Sequence, residues 1–123
     1  MMEIYPDELD FISLFCVDAK TTNNHLPYHY RESFYEFTIH ELQYKVTLFP
    51  SVDEFSMKVK NVSIGATIFE SSYKTVSKIE ILKDTKHEAA FRLFLHEDSD
   101  RFCMIIDIAI KPYFSVMIKE DFT

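Results

Sequence analysis

One glycine and no tryptophan occur among the 123 residues, and the shortage of glycine excludes the most. A dinucleotide fingerprint, a phosphate-cradling P-loop and a G-x-S-x-G nucleophile elbow each need several residues without a Cβ. Gly65 alone satisfies none of them, so the commonest nucleotide-binding and hydrolase sites are ruled out before any fold is considered. Cysteine is nearly as scarce: Cys16 lies within LFCV and Cys103 within FCMII. A thiol in an apolar run behaves as a small hydrophobe, so both are expected to be buried free thiols, not a disulfide, a ligand or a nucleophile.

Basic residues are also in deficit, with 13 Lys+Arg against 20 Asp+Glu and a formal net charge of -7. That balance repels phosphate backbones and favours a basic protein partner or simple solubility, so nucleic acid is not an expected partner. No apolar run reaches the roughly 18 to 20 residues that span a bilayer, because Arg92, Asp107 and Lys111 interrupt the longest candidates. The opening MMEIYPDELD carries acids where a secretory leader carries bases. A cytoplasmic protein without membrane association is the expectation.

Apolar residues make up 47% of the chain, with 12 Phe and 7 Tyr, enough to build the core of one domain spanning 1–123 without metals or disulfides. Period-two alternation dominates and predicts strands over 10–17, 34–40, 43–49, 54–60, 62–69, 74–82, 101–110 and 113–118. Their spacing of about 8 to 12 residues leaves no room for helical crossovers. The expected fold is mainly β: an antiparallel sheet, curled sheet, sandwich or barrel of about eight or nine strands, with room for one or two short helices. Asn, Asp, Ser and Thr mark the turns, at 21–24, 60–61, 71–72 and 98–100. Gly65 falls inside a strand pattern and predicts a bulge or a close backbone approach. Residues 85–97 carry two signals, since Thr85 and Glu88 match a capping box while Phe91, Leu93 and Leu95 alternate. The β context favours a strand there, and 18–33 reads as a functional loop or a concealed short helix.

Candidates for chemistry are few. His25 and His29 have a spacing compatible with a metal, but Pro27 stands between them and no carboxylate or thiol cluster adjoins, so they read as surface histidines and neither metal nor cofactor is expected. His96 beside Asp98 could do acid–base work, yet without a nucleophile motif no catalytic residue is assigned. The remaining signal is recognition. Carboxylates gather at 7–10, at Asp53 and Glu54, at Glu97, Asp98 and Asp100, and at Glu120 and Asp121, where they either solvate strand ends or meet a basic protein. The segment 25–37 combines Tyr28, Tyr30 and Arg31, residue types that anchor interfaces because they pair large contact area with polar ends.

The stretch F-x-M-x-V-x-N-V at 55–62, the alternating run after it, and the acidic turn leading into FCMIIDIAI resemble the strand succession of small all-β bacterial immunity proteins from toxin–immunity systems, over about 70 residues. The resemblance implies a non-enzymatic protein that neutralises a cognate toxin by binding it. The partner would be a basic toxin domain, with nuclease activity expected, blocked at its active site or substrate groove. Partner-binding residues on this reading are Tyr28, Tyr30, Arg31, Asp53, Glu54, Glu97, Asp98 and Asp100. A scaffold module that binds protein in a larger assembly, and a small-molecule-binding β domain, are the alternatives; the oligomeric state is open.

Overall fold

A computed structural model of the chain describes residues 2–21, 25–96 and 102–122. The first element corrects the expected strand at 10–17, because Glu8–Phe15 forms a helix, α1. Asp7 starts it with a capping box, its Oδ1 accepting from Asp10 N at 2.9 Å while Asp10 Oδ2 accepts from Asp7 N at 3.2 Å. Phe11, Leu14 and Phe15 recur at helical spacing and are the residues α1 buries. Cys16 ends the helix in the left-handed region at φ 55. Its thiol is therefore turned to solvent, against the expectation of burial, whereas Cys103 is buried as expected.

The rest of the chain is β, as the alternation predicts. Strands β1 (Lys20–Thr21), β2 (Ser33–Ile39), β3 (Leu42–Phe49), β4 (Glu54–Asn61) and β5 (Ala66–Tyr73) form one antiparallel sheet in sequence order. Strands β6 (Val76–Asp84), β7 (Ala89–His96), β8 (Phe102–Lys111) and β9 (Ser115–Phe122) form a second, also in sequence order. Neighbouring strands in each sheet are antiparallel, and neither sheet closes on itself, which selects the sandwich from the predicted alternatives. Two short 3-10 turns, Tyr28–Tyr30 and Pro50–Val52, interrupt the first half.

The ambiguous segment resolves as a strand. Thr85 and Glu88 do bond, but as a hairpin closure: Thr85 N donates to Glu88 O at 2.8 Å and Glu88 N to Thr85 Oγ1 at 3.0 Å. The expected strand at 62–69 begins late, because Asn61 Oδ1 accepts from Ser63 N at 3.0 Å and from Ile64 N at 3.4 Å and bends the chain. Gly65, at φ +68, closes that turn and does not sit inside a strand. Displacing β5 towards its C-terminus places Ser71 and Ser72 within it, where a turn is expected from their type. The 18–33 stretch holds β1 and the Tyr28–Tyr30 turn.

Alternation fixes which side chains reach the core. Tyr35, Tyr44, Val46, Leu48, Phe55, Met57 and Val59 point inward from the first sheet, and Ile79, Phe91, Leu93, Ile106 and Ile108 from the second. Rings join the layers: Phe55 and Phe91 centroids are 5.7 Å apart, and Phe114 meets Tyr44 at 5.9 Å and Phe69 at 5.5 Å. Helix α1 contributes Phe15, whose ring lies 5.1 Å from Tyr35, 5.0 Å from Phe37 and 5.9 Å from Phe91. On the outward face of the second sheet, Arg92 and Asp107 stand directly opposite on β7 and β8. Arg92 Nε donates to Asp107 Oδ1 at 2.6 Å and Arg92 Nη2 to Asp107 Oδ2 at 2.9 Å. The guanidinium beside it holds the Asp107 carboxyl below its ordinary range.

Phe15→Ala is expected to lose about 3–5 kcal/mol of unfolding free energy in urea, since it removes the ring that touches both sheets. A loss under 1 kcal/mol would mean the sheets pack adequately without it. For Asp107, a depressed folded pKa means that the stabilisation is complete above the unfolded carboxylate value of about 4 and disappears as pH falls through the lower folded value. Asp107→Asn is therefore expected to cost about 1 kcal/mol at neutral pH, with the difference from the parent protein shrinking under strong acid.

Candidate functional site

The two ends of the sandwich are built differently. At one end the strands are joined by hairpin turns: 40–41 between β2 and β3, 62–65 between β4 and β5, 85–88 between β6 and β7, and 112–114 between β8 and β9. At the other, roughly 23 Å away along β3, lie the irregular segments: residues 2–7, both 3-10 turns and the link from β5 to β6. Backbone hydrogen bonds knit this second end together. Met2 N donates to Pro50 O at 3.0 Å, Glu3 N to Ser77 O at 2.8 Å, and Val76 N to Asp53 O at 3.0 Å. Ile79 N donates to Ile4 O at 3.0 Å, so the N-terminal segment covers the edge of β6.

Tyr28 and Arg31 tie the 25–32 loop into the same structure. The Tyr28 hydroxyl donates to Pro6 O at 3.1 Å, and Arg31 Nη2 donates to Glu8 Oε2 at 2.5 Å. Tyr5 OH and His29 Nδ1 are also in contact. Burial, reinforced by Tyr35, Tyr5, Glu8 and Asp7 nearby, pushes the Tyr28 phenol far up, which keeps it a neutral donor at any physiological pH. The Tyr28–Tyr30 turn packs against the Pro50–Val52 turn, whose C-terminal cap is Asp53 at φ 60. Glu54 follows as the first residue of β4. Two of the acidic groups seen in the sequence, 7–10 and 53–54, thus share one end of the molecule. Glu32, which precedes β2, adds another carboxylate beside them.

Apolar side chains stand among these acids. Tyr30 is 55% exposed, Val52 48% and Leu9 74%, and Ile4 and Leu26 are exposed as well. Of the site residues read from the sequence, Tyr30 presents its side chain to solvent, while Tyr28, Arg31, Asp53 and Glu54 are half-buried and frame it. Glu97, Asp98 and Asp100 lie outside the described residues. Leu9, Val52, Ile4 and Glu32 escaped the sequence reading. Leu9 becomes visible once 8–15 is drawn as a helix, because it falls opposite the buried Phe11, Leu14 and Phe15 face.

The same end holds a row of groups that invites comparison with a thiol enzyme: His96 is directly opposite Cys103 across β7 and β8, and Cys103 is opposite Asp121 across β8 and β9. Burial pushes the Cys103 thiol up, with Asp121 adding to the effect, the opposite of what a thiolate nucleophile needs. Among the described residues no cluster of three metal-ligating side chains forms, and no helix is long and apolar enough to cross a membrane. A disulfide-exchange reagent is expected to modify one thiol, Cys16, rapidly in the native protein and Cys103 only after unfolding. Equal rapid reaction of both would contradict the burial of Cys103.

No family model matches the chain, and no curated protein matches it by sequence. Among solved structures, a chain of the contact-dependent growth inhibition toxin–immunity protein complex from Klebsiella pneumoniae 342 is similar to it over 98% of both chains, with a TM-score of 0.72 and 14% sequence identity. What the two share is the fold: the mainly β architecture described above, at full length.

Proposed function

We propose that this chain is an immunity-type inhibitor that neutralises a basic toxin domain by docking the acidic end of its sandwich onto the toxin. The observation that carries the proposal is the gathering of Asp7, Glu8, Asp10, Glu32, Asp53 and Glu54 around exposed Tyr30, Val52 and Leu9, in a fold shared with a chain of a toxin–immunity complex. Division of labour follows from physics. Carboxylates facing water act on encounter rate and on partner choice, because their field reaches about a Debye length before contact. Affinity comes from desolvated anchors, and Tyr30, Val52 and Leu9 are the apolar groups placed to supply them. Tyr28 and Arg31 act by holding Tyr30 in place through Pro6 and Glu8.

A nuclease is the toxin class that fits best, since a groove built for phosphates accepts an array of carboxylates in their stead. Glu97, Asp98 and Asp100, the acidic run that follows His96 in the sequence, are proposed to meet the toxin as well, on their charge alone. An interface of about 800 Å² per partner would suffice. The open edges of β5 and β9, with Ile68, Met117 and Ile118 exposed, favour a second reading as a self-assembling scaffold module.

Binding to the product of the gene immediately upstream, followed by calorimetry and stopped flow, tests the proposal. Glu32→Lys with Glu54→Lys is expected to slow association about tenfold at low salt and to flatten the salt dependence, with dissociation little changed. Tyr30→Ala is expected to weaken binding by about 2 kcal/mol, mainly through faster dissociation. Asp98→Lys with Asp100→Lys should behave like the first pair. Unaltered binding and salt dependence in all three would remove the acidic end from the mechanism. A concentration-dependent oligomer by sedimentation, with no toxin bound, would favour the scaffold.

A further inference from the structure

The hairpin end of the sandwich carries a feature that toxin docking at the acidic end does not use. Between the two sheets there opens a cavity of about 510 Å³, within the range of small-ligand pockets. Its wall is mostly apolar, with Ile39, Leu42, Ile110 and Phe114 contributing, and Tyr44 among them. The Tyr44 ring is fixed by stacking on Phe37 at 4.9 Å and by the edge contact with Phe114. Burial pushes its phenol up to about 12, so the hydroxyl stays a neutral donor. Tyr113, 79% exposed, offers further apolar surface at the same place.

A second cavity of about 230 Å³ adjoins the first, sharing Ile39, His40 and Pro112 as lining residues. Its other walls are Lys86, His87 and Lys111. Of the nearby acids, Glu88 pairs with Lys83 and Asp84 accepts from Ser13 Oγ at 2.6 Å, while Lys111 Nζ lies 3.7 Å from the Cys16 thiol. Glu41, which is exposed, is the one carboxylate among the residues lining the two cavities. In a chain of net charge -7, a site that joins an apolar chamber to two ammonium groups is out of keeping with the surrounding charge.

We infer that the paired cavities form a binding site for a small amphipathic monoanion, an aliphatic or aromatic monocarboxylate. Its apolar body would enter the chamber beside Tyr44 and Phe114, and its carboxylate would lie between Lys86 and Lys111, within reach of the imidazoles of His40 and His87. The chemistry discriminates against the alternatives. A neutral hydrocarbon makes no use of the lysines, inorganic phosphate makes none of the apolar wall, and a polyanion is repelled by the net charge. The ligand joins segments from β2, β3, β8 and the turns at 85–88 and 112–114, so it would bind the folded state alone and stabilise it.

Calorimetric titration of the full chain with sodium octanoate, and with 1-octanol as the uncharged counterpart, tests the site. Octanoate is expected to bind with a stoichiometry of one and octanol at least tenfold more weakly, a difference of about 1.4 kcal/mol. Lys86→Met with Lys111→Met should weaken octanoate about tenfold and leave octanol unchanged; Lys86→Met alone, on an exposed turn, preserves the comparison if the pair disturbs folding. Amide NMR shifts should be confined to 39–44, 61, 86–87 and 110–114. Absence of saturable binding, equal affinity for octanol, an unchanged response in the lysine variants, or shifts centred on the acidic end would each overturn the inference. None of these readouts depends on a toxin partner, so failure here and failure of the inhibitor proposal are separately visible.

Discussion

Phe15 is the side chain through which helix and both sheets become one core. A sandwich of two open sheets has sides as well as faces, and a side left open would wet the apolar residues between the layers. Here α1 brings three apolar residues to the interior, and Phe15 reaches Tyr35 and Phe37 on β2 and Phe91 on β7 at once. Its placement rests on local chemistry several residues earlier, where Asp7 and Asp10 bond each other's backbone and start the helix in the right phase. The same carboxylates that nucleate α1 are those that make the adjoining end of the molecule acidic. One short segment therefore carries both a folding signal and a charge signal.

Near-absence of glycine shapes the connections. Four described residues take a positive φ, and three of them are Cys16, His40 and Asp53, with Gly65 the fourth. Asp and His tolerate that region better than branched residues do, and side-chain hydrogen bonds from Asn61 and Thr85 close turns where glycine commonly serves. Such turns are specific about register. In β2 and β3 the pairing runs unbroken from Ile39 opposite Leu42 to Ser33 opposite Leu48, which sends Tyr35, Tyr44, Val46 and Leu48 inward together. A one-residue slip would expose all of them.

The β content was legible because a strand buried on one face must alternate, and the alternation is in the composition of each segment. The helix was not, because in eight residues the two periods overlap: Phe11 and Phe15 satisfy both, and only buried Leu14 beside exposed Ser13 separates them. The turn marked at 60–61 was legible from Asn61, whose side chain sets where the chain reverses, but its extent to Gly65 was not, and the turn expected at 71–72 lies within β5. At the candidate site, Tyr30, Asp53 and Glu54 could be singled out as types suited to recognition. Their assembly with Asp7 and Glu8 depends on Tyr28 reaching Pro6 and on Arg31 reaching Glu8 across more than 20 positions, a tertiary fact that no local pattern encodes. The paired cavities were less legible still, because their residues read individually as strand interior or polar turn.

Recognition at the acidic end, as proposed, with the tight turns at the other end has a mechanical consequence. Residues in a two-residue hairpin turn are bound by register, so altering them risks the sheet, whereas the Tyr28–Tyr30 turn lies outside the ladder and is held by the side chains of Tyr28 and Arg31, and the Pro50–Val52 turn is held by backbone bonds that leave the Val52 side chain exposed. Side chains such as Tyr30, Val52 and Leu9, exposed and outside the strand ladder, can change without disturbing any inward-facing position. A binding surface that must track a changing partner is best carried by such residues, over a core whose register is fixed elsewhere. The acidic end of this sandwich has that property, and the hairpin end does not; any ligand bound at the hairpin end would have to suit a surface that the fold itself constrains.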